Sequence, residues 1–86
     1  GNPGAMNNLG ILYAEGKGVK KSYKKAIKLY QKAADQGNPG AMNNLAILYE
    51  EGRGIEQSNE KAIEYYQKAA DLGNAKAIAN LNRLKK

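Results

Sequence analysis

The 86-residue chain has 14 lysines and arginines against 8 acids, a formal net charge of +6, and neither cysteine nor histidine. Disulfides and thiolate metal sites are therefore excluded, and the commonest general base and metal ligand is missing. No apolar run approaches membrane-spanning length, so membrane insertion is not expected, and the chain is short for a single globular core.

An internal repeat relaxes that last limit. NNLGILYAEGKG at Asn7–Gly18 returns as NNLAILYEEGRG at Asn43–Gly54, and NLNRLKK from Asn80 is a shortened echo. Residues 1–36 laid over 37–72 match at 25 of 36 positions. A period of this size marks stacked supersecondary units, none of which buries its apolar face alone. One repeat domain over 1–86 is expected, with repeats 1–36 and 37–72 and a capping helix over 73–86.

In chain order, Ala5, Met6, Leu9, Leu12 and Tyr13 recur at three- and four-residue spacing, which predicts a first helix over 3–15 with these residues facing inward. Asn2 is placed as N-cap, Pro3 suits the first turn, and Gly16 supplies the left-handed stop. Gly10, matched by Ala46 in the second copy, keeps a small residue where a second helix approaches. The link Gly16–Lys21 reads as a tight helix-to-helix turn; the Walker pattern of a phosphate loop is missing.

Ser22 is placed to cap a second helix over about 23–36, whose inward face is Ala26, Ile27, Tyr30, Ala33 and Ala34. Repeat two uses the same devices, with Ser58 as cap and Ala62, Ile63, Tyr66, Ala69 and Ala70 facing inward. The last segment copies the first helix, with Ala77, Ile78, Leu81 and Leu84 inward. Its outer face turns polar at Asn82, Arg83 and Lys85, as suits the end of an array.

The pattern A-M-N-N-L-G-I-L-Y-x-x-G-x-G-V, followed by K-A-I-x-x-Y-x-K-A-A-x-x-G, resembles the Sel-one-like repeat (SLR), a relative of the tetratricopeptide repeat. The likeness covers both full repeats and the first half of a third. It implies an all-α, right-handed superhelical α/α solenoid of antiparallel helix pairs, acting as a scaffold for protein partners. Some secreted members of that family staple each repeat with a disulfide, which this chain cannot form.

Catalysis finds little footing. Asp35 and Asp71 read as solvated residues at helix ends, and Ser22 and Ser58 have no histidine to activate them. Neither an enzyme, a cofactor nor a small-molecule substrate is expected. Charge divides by repeat: +5 over 1–36, −3 over 37–72 and +4 over 73–86. An acidic repeat thus interrupts any basic track, which speaks against nucleic-acid binding. The expected function is non-catalytic binding of a peptide segment or partner protein. The competing readings are a consensus-derived scaffold without a natural ligand and, behind it, nucleic-acid binding through basic patches.

Three further expectations concern surfaces. Lys20, Lys24 and Lys28 become Glu56, Glu60 and Glu64 one period later, which suggests ion pairs between neighbouring second helices. Met6, Leu9 and Tyr13 have no preceding repeat to cover them, which suggests weak self-association through residues 3–15. The partner surface is expected on the side lined by the first helix of each repeat: Asn7, Asn8 and Ile11, then Asn43, Asn44, Ile47 and Glu50, then Asn80 and Arg83. Asparagine amides there could pair with a bare peptide backbone, and Arg83 with Lys86 could hold a carboxylate. The opposing reading makes Asn8, Asn44 and Asn80 ties between adjacent helices and packs Ile11 and Ile47 between repeats.

Overall fold

The computed structural model describes residues 2–85. Five helices follow one another: α1 Pro3–Glu15, α2 Tyr23–Asp35, α3 Pro39–Glu51, α4 Asn59–Asp71 and α5 Ala75–Leu84. No strand occurs among the described residues. Helices this short are marginal alone in water, so caps and packing must hold them. The caps at Asn2, Ser22 and Ser58 are those the sequence announces, and Asn38 and Asn74 act in the same way as Asn2. The Asn2, Asn38 and Asn74 side chains accept from Ala5, Ala41 and Ala77, and the Ser22 and Ser58 hydroxyls accept from Lys25 and Lys61. At the other end of the first helices, Gly16 and Gly52 take the left-handed conformation at φ 69° and 66°. The second helix stops at Asp35, one residue short of the expected end, with Gln36 as its C-cap.

Within each repeat the two helices pack as a hairpin, and α2 then packs on α3 and α4 on α5. The core is built from Ala26, Tyr30 and Ala33 of α2, Ala41, Leu45, Ala46 and Leu48 of α3, Ala62, Tyr66 and Ala69 of α4, and Ala77 and Leu81 of α5. Alanines let the backbones approach, and the two tyrosines supply the bulk. The small residue shared by the first helices has its reason here. A Cβ on Gly10 would lie 2.6 Å from the Tyr30 ring, and Ala46 is fully buried in the equivalent place.

Two expected faces differ in the structure. The apolar face of α3 is covered: Ala41 and Leu45 are fully buried, and Met42 and Leu48 nearly so. The same residue types on α1 are not: Ala5 is exposed, Leu9 is 40% exposed and Leu12 39%. The cause is that α3 lies against α2, whereas α1 has only α2 on its other side. On α5, Ile78 is 43% exposed, while Ala77 and Leu81 are buried.

The expected ion pairs between α2 and α4 are not formed. Among the described residues, no ion pair joins Lys20, Lys24 or Lys28 to Glu56, Glu60 or Glu64, and Glu64 pairs with Lys68 of its own helix at 3.6 Å. The second helices meet instead through the Gln31 amide donating to the Tyr65 hydroxyl at 3.3 Å. α3 packs against α2, so the lysine and glutamate stripes do not come face to face.

Candidate partner-binding face

The first helices of the repeats, α1, α3 and α5, are joined by side-chain ties. The Asn44 amide donates to the Asn7 carbonyl oxygen at 3.0 Å, and one period later the Asn80 amide donates to the Asn43 oxygen at 3.1 Å. Asn44 and Asn80 thus tie adjacent helices, as the opposing sequence reading had it, but their partners are Asn7 and Asn43, which that reading did not include. Asn43 is buried to 3% exposure, where an unpaired amide would be costly. Gly40 makes room: a Cβ there would stand 3.2 Å from the Asn7 amide nitrogen. Asn8, the counterpart of Asn44 and Asn80 on α1, is exposed.

Glu50 and Arg83 form a second tie rather than a pair of free groups. Arg83 grips the Glu50 carboxylate with two N–H donors at 2.7 and 2.8 Å, and the Tyr66 hydroxyl donates to the same carboxylate at 2.8 Å. One carboxylate therefore connects α3, α4 and α5. The two-pronged grip holds the Glu50 carboxyl below its ordinary value of 4.5; burial opposes the shift and the tyrosine hydroxyl adds to it. Burial, then the bond to Glu50, pushes the Tyr66 hydroxyl well up, so it stays protonated. The expectation that Arg83 holds a ligand carboxylate is corrected on this point, since it holds that of Glu50. Lys86 lies outside the described residues.

Ile11 and Ile47 are half-buried against the core. Each also lines an open recess on this face. One, of about 280 Å³, is bordered by Asn7, Ile11, Gly40, Asn43, Asn44, Asn74, Ala75 and Lys76. The other, of about 180 Å³, is bordered by Ala14, Tyr23, Tyr30, Asn44, Ile47, Leu48, Glu51 and Arg53. Tyr30, Tyr66, Gly40 and Lys76 are the contributors that helical-wheel reasoning passes over, because both tyrosines read simply as core. A signal was present nonetheless. Ala14 and Ile47 become Glu50 and Arg83 one period on, so an apolar pair turns into an ion pair as a unit.

Five short helices in stacked hairpins, tied side to side by asparagines, define an α/α repeat solenoid. The chain belongs to the Sel1 repeat family: the Sel1 repeat model matches residues 3–38 and 39–74. A Sel1 repeat protein from Oxalobacter formigenes is 42% identical with a TM-score of 0.94, covering 96% of this chain and 34% of that one. A protective antigen of uropathogenic Escherichia coli, described as having an SLR fold, is 33% identical with a TM-score of 0.84, over 87% of this chain and 16% of that one. The cysteine-rich protein B of Helicobacter pylori is 29% identical with a TM-score of 0.85, over 92% of this chain and 59% of that one. This chain thus spans less than two thirds of each of these relatives. No curated protein sequence matches it. Sel1 repeat proteins are generally non-catalytic scaffolds that mediate protein interactions.

Two outcomes follow for the tie at Glu50. Tyr66→Phe removes a donor from a charged acceptor and should cost about 1–2 kcal/mol of unfolding free energy, whereas Tyr30→Phe, whose hydroxyl has no partner among the described residues, should cost close to nothing. Paired urea melts check both. Because the Glu50 carboxyl is lowered on folding, its stabilisation is complete above the ordinary glutamate range and is lost as the pH falls through the lowered value. The stability advantage of the wild type over Glu50→Gln should therefore be present at pH 7 and vanish in acid. Melts of both proteins across that range measure it, and a gap independent of pH would refute the assignment.

Proposed function

We propose that this chain is a non-catalytic interaction module that binds an extended peptide segment of a protein partner across α1, α3 and α5. The observation that carries the reading is the pair of recesses that share Asn44, each with an isoleucine in its wall. The ties leave the asparagines spare capacity. Asn7 keeps both amide protons and Asn44 its carbonyl oxygen, which suits a backbone that both donates and accepts. Since Asn43 and Arg83 are structural, they are poor probes of binding. Ile11 and the exposed Lys76 serve better, because both line the larger recess.

Peptides selected from a random display library against the wild-type chain provide the ligand. Binding should fall at least about tenfold, roughly 1.4 kcal/mol, in Ile11→Ala and Lys76→Glu, with the helical melting curve of Lys76→Glu unchanged. Selected peptides that bind both variants as tightly as the wild type would remove this face from consideration.

Weak self-association through α1 belongs to the same proposal. Leu9 and Tyr13 share an open surface with Leu29, rimmed by Lys25, Lys28 and Lys32. Two copies joined through this surface would bring like charges together, so their attraction is apolar and their repulsion is screened by salt. Sedimentation should show dimer growing with concentration and with added salt. A strict monomer in high salt would eliminate it.

A further inference from the structure

The two junctions between first helices are built on one plan but filled differently. Where α3 meets α5, the Tyr66 hydroxyl donates to the Glu50 carboxylate, and Arg83 neutralises that carboxylate. Where α1 meets α3, Tyr30 replaces Tyr66, Ala14 replaces Glu50 and Ile47 replaces Arg83. The tyrosine is as well buried, at 3% exposure, but its hydroxyl has no partner among the described residues. The space in which a longer side chain at position 14 would lie is the recess of about 180 Å³ bordered by Ala14, Tyr30 and Ile47.

The Tyr30 ring is buried, but its hydroxyl is not sealed from water, because no fully buried side-chain polar atom among the described residues lacks a partner; the hydroxyl is a donor free to meet an acceptor that enters the recess. Burial, and behind it the negative charge of Glu15, pushes its pKa up to about 12, so it remains a donor at neutral pH. The recess is smaller than the pockets that enclose whole small molecules, and its size suits one side chain. Its walls at Ala14, Ile47 and Leu48 are apolar, whereas Glu51 and Arg53 at its border already pair with each other at 3.1 Å. Arg53 also donates to the Tyr23 hydroxyl at 3.0 Å.

We propose that this recess is a subsite for the uncharged amide side chain of a bound peptide, glutamine or asparagine, whose carbonyl oxygen accepts from the Tyr30 hydroxyl. The inference rests on the peptide reading above and names a side chain that the peptide carries. A carboxylate fits the hydroxyl geometrically, as Glu50 demonstrates at the other junction, but here it would enter without an arginine at position 47. It would also meet the charges of Glu15 and Glu51. Leaving a charge unneutralised against apolar walls is costly, and a neutral amide avoids that cost.

The experiment uses the full chain labelled with 13C in its tyrosine rings and isoleucine methyls, titrated with two blocked peptides, acetyl-Leu-Ala-Gln-Ala-Leu-amide and its glutamate counterpart. Titration to about 10 mM nearly saturates a site with a Kd of about 1 mM. The glutamine peptide should shift the Tyr30 ring resonance at pH 7, and the glutamate peptide should bind about tenfold more weakly. Ala14→Gln supplies the amide from within, so the Tyr30 resonance should move in the free protein and no longer respond to peptide. Ala14→Glu should melt below Ala14→Gln at pH 7, and adding Ile47→Arg should close that gap. A Tyr30 resonance indifferent to the glutamine peptide, equal binding of the two peptides, or equal melting of the two position-14 variants overturns the subsite. A peptide that shifts Ile11 and leaves Tyr30 unmoved sinks the subsite alone; one that moves neither sinks the shared face with it.

Discussion

A first helix can bury its apolar face only against the second helix of the repeat before it. The two copies demonstrate this with almost the same sequence. Leu45 is fully buried against the preceding repeat, while Leu9, its counterpart, is 40% exposed. Fully burying a leucine is worth about 1.5–3 kcal/mol, so α3 is anchored on two sides and α1 on one. Stability in such a chain is a sum of hairpins and junctions.

The junctions are closed by different means at different depths. Deep in the hairpins, alanines and a glycine let a tyrosine ring lie against a backbone, and no polar group intervenes. Between first helices the closure is polar, through asparagine amides and the Glu50 carboxylate. At the rim, cations lie over aromatic rings: Lys25 over Tyr13 at 5.3 Å and, one period later, Lys61 over Tyr49 at 5.9 Å. The link of the second repeat also closes onto α2. A Cβ on Gly54 would lie 2.5 Å from the Tyr23 Cβ, which leaves no room for a larger residue. Gly18 in the first link faces open space, and its φ of 75° is what favours glycine there.

Ion pairs contribute less to this architecture than the charge pattern suggests. The lysine-rich and glutamate-rich stripes are real features of the sequence, but exposed pairs gain little and long side chains lose entropy when held together. The contacts between the second helices went to a glutamine and a tyrosine instead. Among the described residues, the one ion pair that spans a junction is the grip of Arg83 on Glu50, where a buried tyrosine hydroxyl also needs an acceptor.

The helices, their caps, their stops and the 36-residue period were legible in the sequence because each depends on neighbours within a few residues. An asparagine or serine meets an amide three positions on, a glycine adopts a positive φ, and apolar residues return every turn. The small residue at Gly10 and Ala46 was legible too, since duplication displays the constraint twice. What only the tertiary structure decided was which polar groups find each other across repeats. Asn7 and Asn44 stand on successive helices, and nothing local distinguishes a tie from an open binding group. The same holds for Glu50, Tyr66 and Arg83, drawn from three helices, and for the Tyr30 hydroxyl left facing a recess. Those pairings depend on how far one helix stands from the next and which way its side chains turn. Distance between helices is set by packing, and no single repeat contains it.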